Sequence, residues 1–382
     1  MANSFTETTS QGFFSRIANS FIGLLLGPVF VIGAIALLWW NEGRAVEAIV
    51  GLNNAASATV EASASPSPGN EGKLVHVIAP ATAEEPITDD DLALGIRGQV
   101  AVARKVEMYQ WKEHEQESTQ TNTGGSQTTT KTYTYTQDWS DEPVDSSAFR
   151  HPDGHQNPSM PFQSKRYAAS DAKLGGWTLD ADTLGRVDPV QPLTVGVPDQ
   201  WTRSGNYIVK GNVGSPKTGD LRVSYTGLET GSTMSVLAQQ SHNGFASYTT
   251  PNGYQVFLVA LGNRPAAQMI AQQRANESML TWILRGVGAV VMFIGFTMFF
   301  GPLSVMASFL PFLGSLVRGA AAALSLVISV PLTLIVIAAA WLAYRPILGG
   351  ILILAAIGAV YGLWRWHAGR RPAVPAKAAA PA

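Results

Sequence analysis

The chain has 382 residues, of which 46% are hydrophobic and only 14% charged, well below the roughly 25% charged residues usual in a soluble domain. A formal net charge of −1 supplies no basic footprint for nucleic acid, and with no cysteine a disulfide framework, a thiolate metal site and a cysteine nucleophile are excluded. The charge that exists avoids four blocks: no Asp, Glu, Lys or Arg occurs from Ile17 to Trp40, Gly286 to Val317, Gly319 to Tyr344 or Pro346 to Trp364.

Residues 1–20 read as a short cytoplasmic N-terminus. A hydrocarbon core of about 30 Å takes about 20 apolar residues in a helix, and 21–40 meets that length as the first span. A cleaved signal peptide is the competing reading, but an h-region of about 7–15 residues ends at a small-x-small site. This run is longer and ends in Trp39-Trp40-Asn41-Glu42, an aromatic pair that suits a membrane interface. The Ala-rich stretch from Gly43 to about Glu61, with Val46, Ile49, Val50 and Leu52, suits a helix continuing out of the span, either a solvated stalk or a membrane-surface helix. Pro66 and Pro68 then mark a linker.

Strand patterns begin at Leu74–Ile78. Val100, Val102, Val106 and Met108 alternate with more polar neighbours and run on through Trp111, and Lys131 to Trp139 alternates Tyr133 and Tyr135 with threonines. These read as the arms of a long hairpin with a loose polar tip at Gly124-Gly125. From about Pro158 to Pro198 the chain is rich in Pro and Gly and carries no clear pattern. A second β group covers Leu221 to Tyr225, Ser232 to Gln240, Phe245 to Thr250 and Tyr254 to Leu261, with Asn243-Gly244 as a turn signal. Pro265 to Leu284 is helix-compatible and leads into a second span at 286–303. Further spans follow at 320–344 and 347–364, with Pro302 and Pro311 breaking the first connection and Arg345-Pro346 allowing only a tight turn in the second. A cytoplasmic tail occupies 365–382.

The fold class predicted is therefore an α+β membrane protein: four transmembrane helices, one plus three, with a large β-rich extracytoplasmic domain over 41–281. Orientation follows from Arg16, Arg318, Arg365, Arg370, Arg371 and Lys377, which share one face and mark it as cytoplasmic. Every carboxylate but Glu7 lies between Asn41 and Glu277, on the other face.

At this point the residues resemble a known family. Asn41-Glu42-Gly43-Arg44-Ala45, Asn70-Glu71-Gly72-Lys73-Leu74-Val75-His76, Val106-Glu107-Met108-Tyr109-Gln110-Trp111, His155-Gln156-Asn157-Pro158-Ser159, Gly219-Asp220-Leu221-Arg222-Val223-Ser224-Tyr225, and Trp341 with Tyr344-Arg345-Pro346 are similar to blocks of the transmembrane protein 43 (LUMA) family, in family order. The resemblance implies a multi-pass protein that self-associates and organises or scaffolds membrane protein complexes, in eukaryotes at the endoplasmic reticulum and nuclear inner membrane with lamins and emerin. The missing cysteine and the Ala/Pro-rich tail suggest a bacterial member in a cell inner membrane, which would have no lamina.

The two Asn-Glu-Gly-basic motifs make Glu42, Arg44, Glu71 and Lys73, with Arg285, the candidate contacts for lipid head groups or partner proteins. The bland alternative is turn chemistry, with glycine permitting positive φ and the charges solvated. Gly23 and Gly27 form a Gly-x-x-x-Gly pair suited to close helix packing, including self-association. His151 and His155 have a ligand-like spacing, but the prolines and glycine around them argue against a helical metal site. Asp89, Asp90 and Asp91 read more readily as a solvated loop than as a cation site. No nucleophile elbow or phosphate-binding loop is present. The expectation is a non-enzymatic protein with no catalytic, metal or cofactor residues, whose partners are membrane lipids, other membrane proteins and its own copies, and not nucleic acid. A channel or transporter component and a membrane-bound hydrolase are the alternatives.

Overall fold

The computed structural model describes residues 3–346 and 365. The fourth predicted span and, apart from residue 365, the predicted tail lie outside the described residues. In chain order the principal elements are β1 (Ser4–Gln11), α1 (Phe13–Ala58), β2 (Leu74–Thr82), β3 (Gln99–Thr121), β4 (Gln127–Ser140), β5 (Leu221–Glu229), β6 (Thr233–Ser241), β7 (Leu258–Leu261), α2 (Ala266–Phe299), α3 (Gly301–Ala307) and α4 (Pro311–Tyr344).

Three of these helices are long and apolar enough to cross a membrane: α1, α2 and α4. The first two extend well past the predicted spans. Helix α1 runs unbroken for 46 residues, through Pro28 and out beyond Trp40. Helix α2 begins 20 residues ahead of the predicted 286, and Pro311 occupies the first turn of α4, where its missing N–H costs nothing. Ala34, Leu38, Met292 and Val336 close the core between the three helices. Phe21, Leu25, Val29 and Ile32 face outward, as a lipid-facing surface requires.

Among the described residues the β body contains an eight-stranded and a seven-stranded sheet. The eight-stranded sheet runs β1-β4-β3-β5 and then through Tyr207–Lys210 to Thr202–Ser204, every pairing antiparallel. The seven-stranded sheet is centred on β2 and β6. Period-two alternation divides the labour of β2 and β6. Val75, Val77, Val236 and Ala238 point into a sandwich core shared with Val100, Val102, Val223 and Tyr225 of the first sheet. Leu74 and Leu237 point the other way and pack on Leu52 and Ala55 of α1 and on Met269 and Ile270 of α2. The body is thus seated on the extended ends of two membrane helices.

Two expectations are corrected. Residues 4–11 are not an isolated N-terminal segment: β1 pairs with β4 from Ser4↔Thr134 to Gln11↔Gln127. The cause is the Thr-rich alternation of both segments, which lets β1 cover the outer edge of the hairpin while Phe5 packs against His151 at 4.4 Å and Tyr135 at 6.0 Å. The hairpin tip is also held rather than loose. Gly124 donates its N–H to Phe309 O at 3.0 Å, and buried Arg16 donates to Gly125 O and to Ser308 Oγ. Both glycines take positive φ, 86° and 77°, and the ring of Phe13 occupies the space where a Gly125 side chain would stand.

The pattern-poor stretch from Pro158 to Pro198 contains short strands and one helical turn, Ala181–Gly185, capped by Asp180 accepting from Thr183 N.

Candidate functional site

The polar motif after the first span meets distant partners where α1, α2 and α4 emerge from the apolar bundle. Glu42, only 2% exposed, accepts two hydrogen bonds from Arg285, from Nε at 2.7 Å and from Nη2 at 2.8 Å, and a third from Trp341 Nε1 at 2.7 Å. One carboxylate therefore ties all three helices together. Arg44 pairs with Glu277 of α2 and donates Nη2 to Thr281 Oγ1 at 3.1 Å. Asn41 Nδ2 reaches Thr281 O at 3.2 Å.

Glu277 also links the helices to the body, because it accepts from Tyr254 OH at 3.0 Å and Gln273 Nε2 at 3.1 Å. Burial and the neighbouring Glu277 charge push the Tyr254 phenol above its ordinary pKa, against the opposing Gln273 hydrogen bond. Tyr254 lies directly on Gly51: a Cβ there would run into the Tyr254 side chain. Gly51 is thus required for close approach, as is Gly43, where a Cβ would meet the Tyr344 ring at 2.7 Å.

Helical spacing explains why these side chains converge. Glu277, Thr281 and Arg285 recur every four residues and share one face of α2, while Arg345 caps the end of α4 with its N–H donating to Trp341 O at 2.8 Å. Indole and phenol rings surround the junction: Trp39 against Tyr344 at 6.1 Å, Arg285 over Trp282 at 4.7 Å and Arg345 over Trp341 at 5.2 Å. Such a ring of aromatics marks an interfacial level. Reading the sequence singles out Glu42, Arg44 and Arg285 but misses Glu277, Tyr254 and Trp341. The spacing of four along α2 was the available signal for Glu277.

The other candidates stand elsewhere. Glu71 accepts the His242 N–H at 3.1 and 3.0 Å, beside Gly72 at φ +75°. Glu71 and Lys73 form a turn on the body and do not join the Glu42 group. Gly23 and Gly27 face α2 of the same chain, where Cβ atoms would come within 3.0 Å of Met298 O and 2.6 Å of Gly295 O. The close packing they make lies between α1 and α2 of one chain. His151 and His155 flank Phe5, and among the described residues they belong to no group of three or more His, Cys, Asp or Glu that could hold a metal.

The acidic run is not simply a solvated loop. Asp89 is fully buried and accepts from Tyr225 OH at 2.6 Å, Arg104 Nη1 at 2.5 Å and Tyr167 OH at 2.9 Å. Burial alone raises its pKa, but the bonds from Tyr225, Arg104 and Tyr167 outweigh that and hold the carboxyl below its ordinary value. Burial and the bond to Asp89 push Tyr225 and Tyr167 upward. Asp91 is half exposed and takes the second Arg104 nitrogen at 2.6 Å.

A family model described as transmembrane protein 43 matches residues 108–346. The chain is 30% identical to transmembrane protein 43 of rat over 91% of its length and 90% of the relative's. It is 29% identical to the human protein of that name, covering 89% of each chain, and 31% identical to the Drosophila melanogaster homolog over 87% of its length and 91% of the relative's. No solved structure matches.

Proposed function

The chain belongs to the transmembrane protein 43 family, and we propose that it is a non-enzymatic membrane protein that organises or scaffolds membrane protein complexes. The observation that supports this reading is the junction, which seats the β body on α1 and α2 through Leu52, Ala55, Met269 and Ile270 and through the Glu277 hub. A body confined at the bilayer presents its surface to neighbouring membrane proteins at high effective concentration. The junction carboxylates are engaged by several donors each, Glu42 by Arg285 and Trp341 and Glu277 by Arg44, Tyr254 and Gln273, an arrangement suited to holding elements together rather than to exchanging protons with a substrate.

On this reading the partners are other membrane proteins, lipids and further copies of the chain, meeting through surfaces other than the Gly23 and Gly27 face. In a bacterium the location is the cell inner membrane; in a eukaryote it is the endoplasmic reticulum and nuclear inner membrane. The test is crosslinking in intact native membranes followed by purification of the full chain and identification of everything covalently attached. Reproducible recovery of specific membrane proteins, reduced when Gly51→Leu displaces Tyr254, is the expected result. Recovery of the chain alone, or turnover of a lipid or peptide by the purified protein, would overturn it.

A further inference from the structure

Counting charges at the junction leaves cations over. Arg285 is taken by Glu42 and Arg44 by Glu277, and Glu42 has also accepted Trp341 Nε1. Arg274 and Arg345 line the same cavity, of about 190 Å³, and among the described residues neither forms an ion pair. Arg274 donates to the neutral Asn53 Oδ1 at 2.7 Å. Arg345 lies over the Trp341 indole with its centre 5.2 Å from the ring centroid. No Asp or Glu follows Glu277 in the sequence, so residues 347–382 bring no side-chain carboxylate to either arginine.

We propose that this cavity binds the phosphate of an anionic phospholipid, held by the Arg345 guanidinium with Arg274 at the rim. Three features give the site that chemistry. The planar guanidinium offers paired N–H donors matched to phosphate oxygens. Its position is set in advance, because Glu42 fixes Trp341 and Trp341 carries Arg345 on its face. The surrounding aromatic ring lies at head-group depth, where Trp282, 66% exposed, opens the cavity toward lipid. Arg44 and Arg285, the arginines singled out in the sequence, are already neutralised and act as struts. The proposal is independent of scaffolding, since it concerns the isolated chain and its lipid.

The experiment is native mass spectrometry of the full-length, delipidated protein in neutral detergent. It is titrated with phosphatidylglycerol, with phosphatidylcholine and with inorganic phosphate. The wild type is expected to prefer phosphatidylglycerol, and Arg345→Gln to lose about tenfold in affinity for it, the equivalent of one charge-assisted hydrogen-bond pair. Arg345→Lys keeps the charge but not the fork and should fall between. Arg186→Gln, on the body, should match the wild type, and thermal melting of every variant separates loss of binding from loss of fold. Equal binding of the two lipids, or an Arg345→Gln variant that melts and binds like the wild type, would overturn the proposal. Inorganic phosphate that binds as tightly as the lipid and displaces it would overturn the lipid assignment in favour of a soluble phosphate ligand. Partner capture plays no part in this assay, so its result and that of the scaffolding test fail separately.

Discussion

Two buried carboxylate–arginine groups do different work in this molecule. In the body, Asp89 and Arg104 lie between Tyr225 and Tyr167 and hold together strands of one sandwich. At the junction, Glu42 and Arg285 join helices whose residues are separated by up to 299 positions with Trp341. The body pair is sealed on both sides, whereas Arg285 remains 14% exposed next to cations with no carboxylate of their own. The contrast teaches that an ion pair enclosed in a core serves stability, while one at an interface can also set the charge of the surface beside it.

The sharpest way to break that contrast is Asp89→Ala. It leaves Arg104 Nη1 and two phenols without their shared acceptor, with only the half-exposed Asp91 left to pair Arg104, and should cost about 3–5 kcal/mol, read as a drop in the unfolding midpoint of the body. Glu42→Gln should cost less, about 1–3 kcal/mol, because Arg285 can turn toward water. Its distinguishing readout is loosened contact between α4 and α1, measured by crosslinking between positions 43 and 344 as cysteines. If Glu42→Gln proves the more damaging, the junction rather than the sandwich holds the fold.

A pH series sharpens the comparison further. Asp89 is held below its ordinary pKa, so its contribution is complete above the unfolded value of about 3.9 and is lost as pH falls through the lower folded value. The wild type should therefore shed stability below about pH 4 more steeply than Asp89→Asn, while at neutral pH the wild type is the more stable. Identical acid profiles would show that the carboxylate is not what the two tyrosines and Arg104 stabilise.

The smallest effect on stability is expected from a covalent tie across the N-terminal strand. The chain has no cysteine, so Thr8→Cys with Thr130→Cys creates a single possible disulfide between residues that face each other in β1 and β4. It should form in native membranes, with little change in melting. Failure to form would show that β1 and β4 do not pair in the membrane-embedded protein.

These contrasts also explain what could be read from the residues alone. Uncharged runs reveal helices such as α1, α2 and α4 because hydrocarbon excludes charge locally, residue by residue. The long hairpin was equally legible, since alternation and Gly124-Gly125 are local signals. The junction was legible by halves: Glu42 and Arg44 attract notice in a motif, but nothing near them points to Glu277, Tyr254 or Trp341, which tertiary packing alone brings close. Asp89 sits among acids that suggest solvent, and it is Arg104 with the distant Tyr167 and Tyr225 that offset its burial. Gly27 announces close packing without saying that Gly295 of the same chain fills the space. Ser4–Gln11 alternates like a strand, yet eight polar-rich residues beside a membrane span give no hint of their partner.

The unbroken passage of α1 through the interface has a metric consequence. Twelve residues separate Trp40, in the aromatic ring, from Leu52, in the seat of the body, which at 1.5 Å per residue is about 18 Å of rigid rod. Helix α2 runs alongside as a second post, and the clamp at Glu42 prevents the two from shearing. The body is therefore carried on two rigid posts rather than on a flexible linker, and its orientation relative to the apolar helices is fixed along with its height.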